Sequence, residues 1–354
     1  MSSLPRFSQI NPATIVAELD TILAQNRAEL LLLLSEIISL DWNFIQKLDD
    51  LDDRLQHFWS PINHLHAVKQ TAKLRLAYNE CLAKISAYSS ELSQNSRLYQ
   101  AIKTLDNGDY RFNYAQKKCL HNELRDFHLG GIDLPKAKQK RYQVIQAQLA
   151  QLSNQFEENL LDATANWSKC ISDKSELKGL PTYIIASAEK AAKDKNMSGC
   201  LLSLDYPCYF PVLSYADNRA LRESVYKAYI TRASEFGNMA FDNSPIMFKI
   251  LNLRHELSQL LGFKNYAQKS LASNKMAKTP EEVLSFLENL LRCTQSKADA
   301  EWQALYNFAQ SRDQIDTLQP WDILYYREKL QEKMFGICDD TLRCYFPVEK
   351  VLSG

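Results

Sequence analysis

The segment His255-Glu256-Leu257-Ser258-Gln259 is the nearest this sequence comes to a hydrolytic metal motif. In HExxH, two imidazoles one helical turn apart hold zinc, and the glutamate beside them takes a proton from the metal-bound water. Here the fifth position is Gln259, whose amide cannot replace an imidazole as a ligand. The apolar stripe of the same helix flanks both side chains, so the spacing predicts a surface or rim place for His255 and Gln259. His57, His64 and His66 stand close together and could in principle clasp a metal, but no cysteine or carboxylate completes the set, and a histidine in a helix-ending loop ordinarily caps or is solvated. His121 and His128, seven apart, share a helical face and read as core or rim. Cys208 lies between Pro207 and Pro211 with no histidine near it to activate the thiol. The carboxylates Asp49, Asp50, Asp52 and Asp53 crowd Leu51, yet a calcium loop needs a turn glycine and a closing glutamate; a solvated acidic face is the ordinary reading. There is no GxSxG elbow and no P-loop. The expectation is therefore that no catalytic, cofactor-binding or metal-ligating residue lies within these 354 positions.

Aromatic side chains are the remaining chemical feature. Tyr206, Tyr209, Phe210, Tyr215, Trp321, Tyr325, Tyr326 and Tyr345 crowd two stretches of the chain. They could offer ring faces and hydroxyls to an extended peptide, or they could be core, and spacing alone leaves both open.

The elements that must position these residues are mostly helices. Asn11-Pro12 opens a helix through Ile15, Leu19, Leu23, Leu30 and Leu34 to about Ile38, and Asp41 caps a second from Trp42 to Trp59, with Pro61 expected to stop it. Leu74, Tyr78, Leu82, Ile85 and Leu92 share a face in a stretch that ends at the turn Asn107-Gly108-Asp109. Tyr114–Leu129 closes on Gly130 and Gly131, and Pro135 opens a long polar helix. A short helix follows Pro181. Leu202, Leu204 and Tyr206 then alternate with Ser203 and Asp205, which predicts an edge strand or extended segment over Leu201–Leu213, kept from a sheet centre by Pro207 and Pro211. Leu221, Val225, Tyr229 and Ala233 make the next amphipathic helix, with Arg219, Arg222, Glu223, Lys227 and Arg232 off its stripe. Ser244-Pro245 opens, and Gly262 closes, the helix carrying His255; Thr279, Pro280 and Glu282 form a capping box; Gly336 ends a helix from Trp321. The fold class is mainly α, a multi-helix elongated lobe with one small β element near 201–213.

Composition narrows the partners. Lys plus Arg equals Asp plus Glu at 42 each, and no basic run is present, so neither nucleic acid nor a membrane surface is favoured. Only nine glycines are available for hairpins, in keeping with helices. The eight cysteines, Cys81, Cys119, Cys170, Cys200, Cys208, Cys293, Cys338 and Cys344, are scattered without a CxxC pair, and the start MSSLPRFSQI carries no secretory pattern; both point to reduced thiols and a cytoplasmic location. The apolar run Leu30–Leu34 sits between Glu29 and Glu36, far short of the roughly 20 residues a membrane span needs.

Several strings carry a resemblance. FWSPINHLHAVK from Phe58, LSNQFEENLLDAT from Leu152, LDYPCYFPVLSY from Leu204, RASEF from Arg232, LRHELSQLLGFKNYAQKSLASNKMA from Leu253 and LQPWDILYYREK from Leu318 together resemble the thimet-type zinc oligopeptidases, closest to the oligopeptidase A kind. The resemblance implies an N-terminal helical domain over 1–152, connecting helices and a β segment over 153–216, and the start of a peptidase domain over 217–354. It implies the wall of a channel for short peptides. The family's HExxH lies downstream of any residue here, and the family has Asn where His66 stands, so zinc belongs to the intact enzyme and none is expected on this chain. The implied partners are short peptides and a catalytic half that is absent from the chain or supplied separately, the chain alone being inactive. The alternative is a helical binding or interaction module left without catalysis by truncation or gene splitting.

Overall fold

The computed structural model of the protein describes residues 4–35, 40–69, 71–108, 110–273, 276–336, 342 and 345–354. Glu36, Ile38, Asp109, Cys338 and Cys344 lie outside these. The fold is mainly α with a two-stranded sheet. Two compact units divide it, one of residues 1–155 and 248–283, the other of residues 156–247 and 284–354.

In the first unit, α1 (Ile15–Ser35), α2 (Trp42–Val68) and α3 (Ala72–Ser93) pack Ile15, Leu19, Leu23, Leu55, Ile62, Leu74 and Tyr78 into one core. The later halves of the stripes on α1 and the first half of α2 meet α4 (Ser96–Asn107) and α5 (Tyr114–Leu129) in a second core around Ile45, Leu105 and Leu120. Buried Asn26 ties α1 to α2: its Nδ2 donates to the Leu51 carbonyl at 2.8 Å and its Oδ1 accepts from Arg54 at 3.0 Å. Pro61 does not stop α2. It cannot donate to the carbonyl one turn back, a loss of about 3 kcal/mol in a helix interior. The stripe nevertheless continues past it at Ile62 and His66, both buried, so packing holds the helix through the proline. The long run from Leu74 divides where Asn95 Oδ1 accepts the amides of Arg97 and Leu98 at 3.0 and 3.1 Å and starts α4. The first part of α6 (Lys136–Asn166) buries Tyr142 and Ile145 against Leu257 of α10 (Ser244–Leu260).

In the second unit β1 (Ser168–Ile171) pairs antiparallel with β2 (Cys200–Ser203), Ser168 opposite Ser203 and Ile171 opposite Cys200. The strand therefore ends at Ser203. Residues 206–213, expected to be extended, lie in α8 (Tyr206–Tyr215), whose first turn accepts Pro207 where a missing amide proton costs nothing. Two prolines read as sheet-edge markers are thus a helix start and a tolerated interior proline. The sheet, α7 (Thr182–Asp194), α8 and α9 (Arg219–Ile230) enclose Ile184, Leu202, Val212 and Val225. Two long helices, α12 (Pro280–Asp313) and α13 (Pro320–Phe335), bury Phe308 against Tyr325 and Tyr326. Short helices α11 (Tyr266–Ala272), in the first unit, and α14 (Val348–Ser353), in the second, complete the set named here. Among the described residues no helix is long and apolar enough to cross a membrane.

Capping details refine the expected boundaries. The cap of α10 is Asn243 rather than Ser244: the Met247 amide donates to the Asn243 carbonyl at 2.9 Å, while Ser244 Oγ donates to Glu235 at 2.6 Å. At α12, Thr279 Oγ1 accepts the Glu282 amide at 3.2 Å, but the Glu282 carboxylate reaches one residue further back, to the Lys278 amide at 2.8 Å. Gly262 and Gly336 end their helices at φ +84° and +65°.

One glycine is fixed by sterics. Gly179 has φ +91°, and a Cβ there would sit 2.3 Å from the Tyr215 carbonyl oxygen, a backbone atom that cannot move aside. Next to it the Asp217 amide donates to the Lys178 carbonyl at 2.8 Å. Gly179→Ala is expected to destabilise the second unit by about 1–3 kcal/mol. Urea unfolding followed by circular dichroism checks this; an unchanged midpoint would show that the loop relaxes freely.

Candidate functional site

The most strongly determined polar constellation in the second unit joins the start of α9 to the start of α13. Asn218 accepts the Leu221 amide at 3.1 Å and begins α9, placing Arg219 and Arg222 in its first turn. Pro320 occupies the first turn of α13, and Asp322 accepts the Gln319 amide at 3.0 Å, closing a capping box. The two first turns meet at the Asp322 carboxylate, which accepts Arg219 Nη2 at 2.6 Å and Nε at 3.0 Å, and Arg222 Nη2 at 2.9 Å. The remaining donors of Arg222 go to main-chain oxygens: Trp321 at 3.2 Å, Ala216 at 2.8 Å and Asp217 at 3.2 Å. Its guanidinium lies 4.0 Å from the centre of the Tyr325 ring. Tyr325 donates to Asp217 and Tyr326 to Asp313, each at 3.0 Å.

Burial is nearly complete, at 1% exposure for Arg222 and 0% for Asp322. Burial by itself would raise the Asp322 carboxyl, but the hydrogen bonds from Arg219, the Gln319 amide and Arg222 prevail and hold it below the ordinary carboxylate range. Desolvation first, and the bond to Asp217 second, push the Tyr325 hydroxyl up to about 12. Both shifts lead away from neutral pH. The arrangement is a lock between helices. Arg222, expected off the apolar stripe, is instead buried along with Leu221 and Val225, where its guanidinium meets Trp321 and Asp322 of α13. Asp322, three residues after Gln319 with proline between, carries a recognisable capping signature that could have marked it.

The aromatic set divides. Tyr209, Tyr325 and Tyr326 are core, Tyr209 stacking on Tyr229 at 3.7 Å. Phe210, Tyr215 and Trp321 are half-buried. Tyr206 and Tyr345 are exposed at 62% and 74%. A second feature belongs to the first unit: Gln148, Gln151 and Gln155 on α6, with Lys249 and Asn252 on α10, surround an open hollow of about 550 Å³ floored by Leu152 and Leu253. Carboxamides donate and accept at once, as a peptide backbone does.

The candidate metal residues do not converge. His57 Nδ1 lies 2.9 Å from the Asp53 carbonyl, His64 faces the Phe7 ring, and His66 is buried and stacked on Tyr78 at 3.8 Å. His121 lies 3.9 Å from Asp106, and His128 contacts Asp133. His255 is exposed on α10. Glu256, the would-be base, makes a paired salt bridge to Arg141 with both contacts at 2.5 Å. Gln259 donates to the carbonyls of Phe263 and Lys264 at 3.2 and 2.8 Å, tying down the end of α10. HELSQ therefore does not fit a zinc centre: one position is a committed donor and the carboxylate is spent on an arginine. Among the described residues no group of three or more His, Cys, Asp or Glu side chains could hold a metal ion. Burial raises the Cys208 thiol, against a hydrogen bond from the Ser203 amide. Asp50 and Asp53 lie exposed on α2.

The sequence matches two family models: the neurolysin/thimet oligopeptidase N-terminal domain over residues 19–139, and peptidase family M3 over residues 212–354. Oligopeptidase A of Salmonella typhimurium is 46% identical over 357 residues, covering 99% of this chain and 52% of the relative. Oligopeptidase A of Escherichia coli K12 is 45% identical, with 99% and 52% covered. A probable cytosolic oligopeptidase A of Arabidopsis thaliana is 35% identical, with 99% and 51% covered. The chain thus spans about half the length of the relatives it matches.

Proposed function

We propose that this chain, which matches peptidase family M3 over residues 212–354 and resembles half of oligopeptidase A, forms part of the channel wall of a zinc-dependent oligopeptidase that degrades short peptides in the cytoplasm. The observation that carries the reading is the alignment of nearly the whole chain with half of oligopeptidase A. Residues 1–152 are the N-terminal helical domain, 153–216 the connection, and 217–354 the start of the peptidase domain. The zinc ligands, the general base and the transition-state donors lie outside these 354 residues. The partners are short peptides and a catalytic half; nucleic acid and membrane are not among them.

Two features of the geometry support a wall role. The amide-lined hollow between α6 and α10 matches the hydrogen-bonding pattern of a peptide backbone. Leu284, Leu287 and Leu291 lie more than half exposed along α12, an apolar stripe that a solvated helix face does not normally carry. That stripe also favours the second reading, a helical interaction module without catalysis.

The test is metal analysis of the purified chain together with cleavage of a short quenched peptide. The expected result is zinc well below one equivalent and no turnover above the blank, because a peptidase zinc needs three protein ligands and a carboxylate within reach of its water. Equimolar zinc, or turnover surviving metal-free purification, would overturn it.

A further inference from the structure

Helices α1 to α5 of the first unit line a cavity of about 330 Å³. Its wall is core, with Leu30, Ile45, Leu98, Ile102 and Phe127 all buried. Its rim is acidic: Asp49 and Asp52 from α2, and Glu123 and Asp126 from α5, all with solvent-exposed side chains. Asp126 is engaged by Arg125, Nε and Nη2 each at 2.9 Å from one of its oxygens. Arg54 of α2 is held by Glu29. Asp49, Asp52 and Glu123 have no ion-pair partner among the described residues. Desolvation first, then neighbouring carboxylates, raise both Asp49 and Glu123 above their ordinary range; at Glu123 the charges of Asp126, Asp49 and Asp52 add to the rise and Arg125 opposes it. A solvated acidic face would explain the charges alone, but not their gathering at the mouth of an apolar cavity.

We propose that this cavity binds a small amphipathic cation, a primary ammonium carried on an aryl or alkyl body. The body lies against Ile45, Leu98 and Phe127, and the ammonium, with three donors, sits among Asp49, Asp52 and Glu123. The volume lies within the range of small-ligand pockets. Burying a cation's apolar body displaces water from the wall, and its charge relieves repulsion among the three carboxylates. Every residue of the site belongs to the first unit.

The experiment is calorimetric titration of the full chain with phenethylammonium chloride and, as the neutral isostere, 2-phenylethanol, at low and high salt. Phenethylammonium is expected to bind about tenfold or more tightly than 2-phenylethanol at low salt, with the gap narrowing at high salt. Asp49→Asn combined with Glu123→Gln keeps shape and removes like charges, so the fold is retained; a thermal melt confirms that. This variant should lose the preference for the cation while 2-phenylethanol binds as before. Equal affinity for the two probes, no saturable binding of the cation, or an unchanged preference in the double variant would overturn the proposal.

Discussion

Asp322→Ala is expected to lower the stability of the second unit by about 3–5 kcal/mol, since it leaves the Arg222 guanidinium buried at 1% exposure with no countercharge. Arg219→Ala should cost much less, about 1 kcal/mol, because that side chain is 42% exposed and its lost pairing is replaced by water. Replacing both buried partners, Arg222→Met with Asp322→Leu, should be milder than Asp322→Ala, for no unpaired charge then remains in the core. Urea unfolding of the four proteins, with hydrogen exchange of α13 to assign the loss to this unit, measures the series. Equal effects for Arg219→Ala and Asp322→Ala would show that solvent reaches the pair. The pH dependence follows from the same carboxyl. Its folded value is depressed, so the stabilisation is fully present above the ordinary aspartate value of about 3.9 and is lost as pH falls through the depressed folded value. Asp322→Asn should flatten the acid limb of the stability profile.

Mixing this chain with the catalytic portion of a related oligopeptidase A is expected to produce metal-dependent peptide cleavage at least about a thousandfold above either polypeptide alone. The Salmonella relative, 46% identical over the matched half, is a suitable donor of the part this chain does not match. Uncatalysed peptide hydrolysis is slow enough that even a poorly assembled site stands clear of background. The exposed leucines of α12 offer apolar surface for such association. A chelator should abolish the turnover, and readdition of zinc should restore it. Co-purification of the two chains without turnover would favour the interaction-module reading, and failure of the two to associate would overturn the prediction.

Much of the α architecture was legible because its signals act within one or two turns. Gly130 before Pro135, Gly262, Thr279-Pro280 and Gly336 mark boundaries through backbone conformation and nearby amides, and the helices end or begin beside them. The mismatch of HELSQ with a zinc motif was likewise readable from the identity of Gln259 alone, since the ligand chemistry of a side chain does not depend on the fold. Other outcomes needed tertiary structure. Pro61 stays within α2 because Ile62 and His66 beyond it are buried in the same core, and Tyr206–Tyr215 coils into α8 although the period-two residues before it favoured a strand. Asp322 and Arg222, about 100 positions apart, look like ordinary surface charges until α13 closes over α9. The acidic cavity rim is drawn from α2 and α5 in the same way. Local sterics and hydrogen bonding set where helices start and stop, so residue order determined them; which charges lose water depends on which distant helices cover them, and only packing decided that.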